Sequence, residues 1–560
     1  MIPALRNIAT FSILAVTGLL SACGGSDADT AGSAQNASAS GSSTSSSTSS
    51  SSGGAGAATD VLTYHNDTMR TGQNLTETTL TPSNVNSSTF GLLRILPADN
   101  PVDAAPLIAS RVTIGGSVHN VIYAATENDT VYAYDADSGA ALLKVSLLPS
   151  GETPSGTHSC QQVQPQIGIT ATPVIDRGVG ANGTLYVVAM SEDSSGNYYQ
   201  RLHALDLTTL ADRVPAVVVQ ASVAGSGPNS SNGVLTFQGG QYKERGALLA
   251  VNGQIYTSWG SHCDDLPYNG WIIAYSESNL AQTAVLGYTP NGTQGAIWDV
   301  AGLAADSSGA VYGLAGNGTF DATVTAAGFP TLSDYGNTAL KLTATASTLT
   351  VADYYAASNT VSESAGDVDL GSGSPLLLPD QTDATGTTRH LMIGAGKDGN
   401  LLLLDRDNLG KFNAGADTAY QRLAGALPGG LYSAFTYFDG TVYTADVGGT
   451  LKAFALTQAL LPASPTSQSS AKFDYPGSSP AVSANATSNA ILWTVLSSAS
   501  GAAVLHAYNP ANLAQEYYNS TQAADGRDAF GNGEKFITPV IANGKVFVGT
   551  PGGVAVFGVR

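Results

Sequence analysis

From about residue 60 to residue 560 the chain repeats one pattern of hydrophobic and polar positions. A short apolar run is followed by a polar turn, a second apolar run, another turn and a third run. The clearest copy covers residues 172–206, and the last copy places Asn543-Gly544 between two apolar runs. Asn-Gly in that setting is a strong hairpin signal, because both residues tolerate positive φ. Short strands that recur at a long period, without helical periodicity, predict an all-β propeller.

The first strand of this pattern recurs eight times. Its copies begin near Pro106, Pro173, Ala247, Leu303, Pro375, Ala434, Pro480 and Pro539. The eighth copy has only three strands, and residues 90–95, which precede the first copy, can supply the fourth. Pairing strands from both ends of the repeat would close a ring and remove its exposed edges. We therefore predict an eight-bladed β-propeller of four-stranded antiparallel sheets, with seven blades as the alternative.

The first 59 residues lack this pattern. Arg6 and a short apolar run at residues 8–20 precede Leu20-Ser21-Ala22-Cys23, which resembles a bacterial lipoprotein signal in which Cys23 becomes the lipidated first residue. The run is too short to span a membrane, and an ordinary secretory signal is the alternative. Residues 26–59 are almost wholly Ser, Gly, Ala and Thr, which cannot bury enough apolar surface to fold. We predict a signal peptide at 1–22, a disordered tether at 23–59 and a propeller at 60–560.

The charge balance argues against two classes of partner. The chain has 22 Lys and Arg against 42 Asp and Glu, a net charge of −20. This excess of acid works against nucleic acid, whose phosphates are neutralised by basic residues, and against attraction to anionic lipid. We expect a monomeric outer-membrane lipoprotein, on the periplasmic side or at the cell surface, that touches the membrane only through its lipid.

One segment resembles a known family. Residues 131–139, Val-Tyr-Ala-Tyr-Asp-Ala-Asp-Ser-Gly, resemble the blade motif of the quinoprotein-like propellers built from the repeat named after pyrroloquinoline quinone (PQQ). Leu143 stands where that family usually has tryptophan. The family includes dehydrogenases and non-catalytic outer-membrane assembly lipoproteins. The resemblance therefore implies a fold and leaves the function open.

The dehydrogenases of this family carry two adjacent cysteines beside the quinone, and their haem-bearing relatives carry Cys-x-x-Cys-His; the sequence has neither motif. A calcium site facing the quinone needs converging carboxylate and amide oxygens. The acidic candidates, Asp264, Asp265, Asp367, Asp369 and Asp398, are scattered along the sequence. We therefore expect no cofactor and favour a non-catalytic scaffold that binds an envelope protein or a polysaccharide. The alternative is a PQQ-dependent alcohol or sugar dehydrogenase with PQQ and calcium.

Two cysteines remain besides Cys23. Propeller topology places Cys160, in the loop entering the second blade, and Cys263, after the second strand of the third blade, on one face in neighbouring blades. In an exported protein such a pair predicts a disulfide. The alternative is a zinc or copper site in which His158 and His262 join the two thiolates.

The longest insertions, at residues 221–242, 317–336 and 359–373, fall on that same face. Long loops on a rigid scaffold usually carry binding, although these loops could instead cap the central channel. The catalytic residues are unknown at this stage. Aromatic residues of a propeller are also common in its core. The candidate binding residues on this face are His158, His262, Asp264, Asp265, Tyr268, Trp271, Trp298, Asn317, Asp321, Asp367 and Asp369.

Overall fold

A computed structural model of the chain describes residues 58–160, 162–345, 347–497 and 501–560. The predicted signal peptide, the lipidation site at Cys23 and the tether as far as residue 57 lie outside these residues. Within the described ranges no helix is both long and apolar enough to cross a membrane.

Eight sheets of the described chain share one arrangement, in which four strands run antiparallel to their neighbours. We number these sheets 1 to 8. Their strands are Leu107–Ile114, Ser117–Ala125, Thr130–Asp135 and Ala141–Ser146 in sheet 1; Val174–Asp176, Thr184–Asp193, Tyr198–Asp206 and Val217–Val218 in sheet 2; Leu249–Val251, Gln254–Ser261, Trp271–Ser276 and Gln282–Gly287 in sheet 3; Ala304–Ala305, Val311–Leu314, Ala339–Ala344 and Leu349–Ala356 in sheet 4; Leu376–Leu377, Leu391–Ala395, Leu401–Asp405 and Gln421–Leu423 in sheet 5; Thr436–Phe438, Thr441–Ala445, Gly449–Ala455 and Ser467–Phe473 in sheet 6; Ala481–Asn485, Ser488–Leu496, Val504–Asn509 and Asn512–Asn519 in sheet 7; and Val540–Ala542, Lys545–Thr550, Gly553–Val559 and Phe90–Pro97 in sheet 8.

The remaining elements are short and lie at sheet edges or in loops. They are the strands Gln73–Asn74, Glu152–Pro154, Ser222–Ala224, Ser230–Ser231, Val234–Thr236, Tyr242–Glu244, Gln381–Thr382, Thr388–Arg389 and Lys411–Phe412, the α-helix Thr360–Ala365, and the 3₁₀ turns Leu370–Ser372 and Ala524–Gly526. The predicted all-β class with four-stranded antiparallel sheets is confirmed.

Sheet 8 is built from distant parts of the chain. Phe90–Pro97 pairs antiparallel with Gly553–Val559, the last strand, so that Phe90 lies opposite Val559. This is the closure that the sequence predicts for residues 90–95. Because these two strands pair, Gly553–Val559 does not end the sheet with an exposed edge.

The apolar strands are buried because each sheet packs face to face between its neighbours. One core cluster joins Val121 and Val131 of sheet 1 to Leu185 and Val187 of sheet 2. Another joins Trp493 of sheet 7 to the strands of sheet 8. Strands covered on both faces need apolar side chains on both, which explains the continuous apolar runs in the sequence.

Residues 59–77 thread through the centre of the ring, an arrangement that the sequence does not predict. Val61 pairs with Ile108 of sheet 1. Carbonyl groups farther along this segment accept hydrogen bonds from the first strands, or the residues next to them, of five other sheets. The donor–acceptor pairs are Ile175 to Leu62, Ala305 to Thr68, Leu377 to Met69, Tyr437 to Thr71 and Val482 to Gly72. The segment therefore pairs backbone N–H groups on the innermost strands, which have no further strand beside them.

Arg70 anchors this segment. Its side chain is 1% exposed and makes four hydrogen bonds. Nε donates to the Leu303 carbonyl over 3.0 Å, and Nη2 donates to the Leu248 carbonyl over 3.2 Å. Nη1 donates to Thr63 and to the Tyr64 carbonyl. Burial lowers the pKa of Arg70 to about 10, so the guanidinium stays charged at neutral pH and holds sheets 3 and 4 to the segment.

We expect Arg70→Met to lower the free energy of unfolding by at least about 3 kcal/mol, because bonds from a charged donor each contribute about 1.5–3 kcal/mol and the carbonyls would be left unpaired. Denaturant unfolding measures this loss. The matched control is Arg111→Met, which replaces an exposed arginine. Equal stability of the two variants would show that the segment is not held by Arg70.

Candidate functional site

A cavity of about 340 Å³ lies at the centre of the ring, on the face where the loops between consecutive sheets meet. We call it the central cavity. Its size is within the usual range of small-molecule sites, about 300–1,000 Å³. It is lined by Gln162, Lys243, Arg245, Gly260, Ser261, Asp264, Ala296, Trp298, Asp367, Asp369, Lys397, Tyr432, Tyr475, Lys535 and Phe536.

Lys397 binds two aspartates at the wall of this cavity. Its Nζ lies 2.8 Å from Asp369 Oδ2 and 3.0 Å from Asp367 Oδ2. Burial raises the pKa of the Asp369 carboxyl, although the charge of Lys397 opposes the shift. Burial alone would lower the pKa of Lys397, but the two aspartates outweigh it and raise that pKa. The cluster therefore keeps a charged ammonium at neutral pH.

Asn317 holds both carboxylates from the neighbouring loop of sheet 4. Its backbone N–H donates to Asp369 Oδ1 over 2.5 Å, and its Nδ2 donates to Asp367 Oδ1 over 2.8 Å. Gly316, just before it, is tightly surrounded, because a Cβ there would lie 3.1 Å from Trp298 Nε1 and 3.3 Å from the Asp369 carboxyl carbon. The glycine lets the loop approach Trp298 and Asp369 closely.

A buried phenol connects this group to Asp264. The Tyr268 hydroxyl lies 3.4 Å from Asp264 Oδ1 and 3.4 Å from Asn317 Oδ1. Burial strongly raises the pKa of Tyr268, so its hydroxyl keeps its proton. Asp264, Asn317, Asp367 and Asp369, although scattered in the sequence, therefore belong to one group of oxygen-bearing side chains.

Aromatic rings form a continuous wall of the central cavity. The Trp298 and Tyr432 rings have centroids 6.2 Å apart, Tyr432 and Tyr475 5.3 Å, and Tyr475 and Phe536 6.0 Å. A cation lies over each end of this row. The Arg245 guanidinium is 3.5 Å from the centroid of Phe536, and the Lys397 ammonium is 5.9 Å from that of Trp298.

Lys243 and Lys535 line the cavity as well, together with Arg245. Lys243 is 6% exposed. Burial and then the charge of Arg245 lower its pKa to about 7. Within the described ranges, neither the Lys243 ammonium nor the Arg245 guanidinium has a hydrogen-bonded acceptor, while Lys535 donates to the Gln162 carbonyl over 3.3 Å. Buried cations without acceptors are costly unless an anion pairs with them.

The predicted disulfide is present at the edge of the central cavity. Cys160 and Cys263 are bonded with a Cα–Cα distance of 5.4 Å, which joins the loop before sheet 2 to the loop inside sheet 3. The adjoining residues Gln162, Ser261 and Asp264 line the cavity. The bridge thus holds two of the loops that shape it.

His158 and His262 flank the disulfide, with ring centroids 5.0 Å apart. His262 Nε2 donates to the Thr157 carbonyl over 3.0 Å, and burial lowers its pKa to about 4. Burial also lowers the pKa of His158. Cys160, His262 and Cys263 bring ligand atoms within 4.8 Å of one another, but the two sulfurs are bonded to each other. Because a thiolate is the metal-binding form of cysteine, this arrangement favours the disulfide over the zinc or copper alternative.

The other predicted binding residues do not line the central cavity. Asp265 accepts a hydrogen bond from Ser159 over 2.9 Å at the surface. Trp271 is fully buried in the core between sheets and packs against Phe237. Asp321 accepts hydrogen bonds from Thr331 and Leu332, which close its own loop.

The cationic part of the site and much of its aromatic part are not predicted from the sequence: Lys243, Arg245, Lys397, Tyr432, Tyr475, Lys535 and Phe536. A signal was available. Only 11% of the residues are charged, so a lysine or arginine in a loop on the insertion-bearing face is uncommon. Which of these loops point inward depends on the closed ring.

No family model and no curated protein matches this chain. Solved structures do. A quinohemoprotein alcohol dehydrogenase from Comamonas testosteroni has a TM-score of 0.56 and 16% identity, over 89% of this chain and 80% of that one. The quinohemoprotein alcohol dehydrogenase ADHIIG from Pseudomonas putida HK5 has a TM-score of 0.56 and 14% identity, over the same shares of the two chains. At this identity the likeness shows a quinoprotein-type propeller fold.

The expectation that no cofactor is needed is wrong by this comparison, because both similar structures are quinohemoproteins. That expectation rested on the missing pair of adjacent cysteines, on the missing haem motif and on the scattered positions of the acidic residues. The structure instead joins two cysteines 103 residues apart in sequence, beside the central cavity.

We expect Cys160→Ser/Cys263→Ser to lower the free energy of unfolding by about 4–5 kcal/mol, the chain-entropy value for a loop of about 100 residues. Denaturant unfolding with and without a thiol reductant measures it. Reductant should destabilise the wild-type protein and leave the double variant unchanged. A wild-type protein that is insensitive to reductant would contradict the bridge.

Proposed function

We propose that this protein is a PQQ-dependent alcohol dehydrogenase whose active site is the central cavity. One observation carries the proposal: a row of aromatic rings and the cations Lys243, Arg245 and Lys535 line one cavity of small-molecule size. The buried Lys243 ammonium and the Arg245 guanidinium have no hydrogen-bonded acceptor among the described residues. PQQ is a flat aromatic quinone with three carboxylates, so the cavity and the molecule are complementary in shape and charge. The likeness to the two alcohol dehydrogenases supports this assignment at the level of fold.

The residues present fit the quinone. Lys243, Arg245 and Lys535 would hold its carboxylates, and the Trp298 ring would lie against its flat face. An anion at Lys243 would stabilise the charged ammonium and so oppose the effect of burial, which lowers the pKa of this lysine. When bound, PQQ supplies the two-electron oxidant that protein side chains lack.

Asp369 is the proposed general base for the alcohol. Its side chain is 4% exposed, and its two oxygens are fixed by the Asn317 N–H and by Lys397. Each carboxylate oxygen can still accept another hydrogen bond, so Asp369 can take the hydroxyl proton of an alcohol. Its raised pKa makes it a stronger base than an exposed aspartate.

Lys397 has two proposed roles. It keeps Asp369 ionised, and it presents a fixed positive charge to the oxygen of the alcohol as that oxygen loses its proton. A preorganised charge in a water-poor cavity stabilises such a developing charge more than water does.

The aspartates do not fit a preformed calcium site. Asp264, Asp367 and Asp369 do not bring three ligand atoms within 4.8 Å of one another; among the described residues only Cys160, His262 and Cys263 do so. The ammonium of Lys397 lies between two of the three aspartates. The roles proposed for Asp369 and Lys397 therefore involve no metal ion.

We further propose that the enzyme acts in the cell envelope, anchored through Cys23 as the sequence of residues 1–59 indicates. The sequence favoured a different function, a scaffold that binds an envelope protein or a polysaccharide. Such a scaffold would use the same loop face, and it is the function that would remain if no turnover were found.

We expect the purified protein, reconstituted with PQQ, to reduce a dye in the presence of an alcohol from a panel of alcohols and sugars. Asp369→Asn should lower kcat by about 10²–10⁴-fold, because general-base catalysis contributes that much. Lys397→Met should lower kcat by about 10²-fold. The control is Asp380→Asn, which changes an exposed aspartate. Adding calcium or a chelator in parallel tests the metal separately. No turnover of the wild-type protein with any member of the panel would contradict the proposal.

Binding of the quinone is measured apart from turnover, by quenching of tryptophan fluorescence during titration with PQQ. We expect Arg245→Met to raise Kd by at least about tenfold, because a charge-assisted bond to a carboxylate contributes about 1.5–3 kcal/mol. Lys472→Met, which removes an exposed lysine of sheet 6, should bind as the wild-type protein does. Equal affinities of the two variants would remove Arg245 from the site.

A further inference from the structure

A second cavity, of about 630 Å³, opens beside the central cavity. We call it the lateral cavity. It shares Gln162, Arg245 and Lys535 with the central cavity. Its own walls carry four acidic side chains, Asp99, Asp103, Glu127 and Glu534.

Asp103 stands between the two cavities. Besides the lateral cavity, it lines a narrow space at the ring centre that Lys243, Arg245 and Phe536 also line. Asp103 and Glu127, which is 1% exposed, line the lateral cavity together. An acidic path thus leads from the cations of the central cavity to Asp103, then to Glu127, and then to Glu534 at the lateral cavity.

This acidic pair has hydrogen-bonding capacity that the protein does not use. Glu127 Oε2 and Asp103 Oδ1 are buried and have no partner among the described residues. Two adjacent buried carboxyls cannot both ionise, so the pair holds one proton between them. Burial raises the pKa of both carboxyls, but the charges of Arg245, Lys243 and Lys535 oppose that shift at Asp103, whereas Asp103 and Glu534 add to it at Glu127, so the proton rests on Glu127.

The charges around the pair act in the same sense. Asp103 faces Arg245, Lys243 and Lys535, which favour its ionised form. Glu127 faces Asp103 and Glu534, and Lys243 only partly opposes them. Burial, Asp103 and Glu534 raise the pKa of Glu127 to about 11, and burial followed by the charge of Asp103 raises the pKa of Glu534 to about 7.

We propose that Asp103, Glu127 and Glu534 form a proton relay that carries the protons of alcohol oxidation from the central cavity to the lateral cavity. The inference rests on the proposed function. Oxidation of an alcohol to a carbonyl compound releases two electrons, which leave to the external dye, and two protons, which must reach water.

Each proton passes through the relay in a balanced exchange. The incoming proton binds the Asp103 carboxylate, while Glu127 gives its own proton to Glu534. Asp103 then returns a proton to Glu127, and Glu534 releases its proton to water in the lateral cavity. One proton enters and one leaves, and the pair returns to its starting state.

The test compares the wild-type protein with Glu127→Gln, which keeps the shape of the protonated side chain but cannot transfer its proton. We expect kcat to fall by about 10²-fold with the KM for the alcohol nearly unchanged. Imidazole, a small proton carrier that can enter the lateral cavity, should restore part of kcat. Glu534→Gln, at the outer end, should show a smaller loss, and Glu192→Gln, a glutamate of sheet 2 away from both cavities, should show none.

A second measurement tests the shared proton without turnover. The pKa of Glu127 is about 11 in the folded protein and about 4.5 when unfolded, so the folded state retains a proton that the unfolded state loses. Stability from this group is complete below about pH 4.5 and falls as the pH rises toward 11. The denaturant midpoint of the wild-type protein should therefore fall from pH 5 to pH 9, and that of Glu127→Gln should fall less.

The outcomes separate the relay from the proposed function. If the wild-type protein turns over and Glu127→Gln matches it without imidazole, the relay is wrong and the dehydrogenase stands. If the two pH–stability curves run parallel, the shared proton is absent and the relay fails. If the wild-type protein shows no turnover, the proposed function fails and the relay fails with it.

Discussion

The backbone groups at the centre of the ring are the constraint on which the rest of the structure depends. The innermost strand of each sheet has a neighbouring strand on one side only, and an unpaired buried N–H on its other side is costly. This chain meets the requirement with residues 59–77, whose carbonyls accept bonds from one sheet after another. Arg70 adds a buried charge that four acceptors share. The centre is thereby filled, and the cavity is confined to the loop face.

The two faces of the ring differ because they carry different connections. Tight turns, such as the one at Asn252-Gly253, join the first and second strands on one side. Longer loops meet on the other side and bring Asp264, Asp369, Lys397 and Arg245 around one space. A chain with few charges has gathered many of them here, where a low dielectric strengthens their interactions. The disulfide fixes two of these loops, so the charges keep their relative positions.

The acidic and basic groups around the cavities differ from other buried polar groups in where they lie. Glu127 Oε2 and Asp103 Oδ1 have no partner among the described residues, but the same is true of atoms between the sheets, such as Trp271 Nε1 and Tyr275 Oη. Glu127 and Lys243 also line cavities, and their pKa values are raised and lowered, respectively. Shifted pKa values beside a cavity are typical of a functional site.

The sequence alone determined the all-β class, the four-stranded sheets, the closing strand at residues 90–95 and the Cys160–Cys263 bridge, because strand periodicity and connection topology are local or simply repeated properties. It also named Asp264, Trp298, Asn317, Asp367 and Asp369, since they lie in or near the loops of the insertion-bearing face. Only the tertiary structure decided that the segment around Arg70 fills the centre, that Trp271 is core, and that Lys397 binds two of those aspartates. These outcomes depend on which loops turn inward when the ring closes, and residues far apart in sequence meet only then.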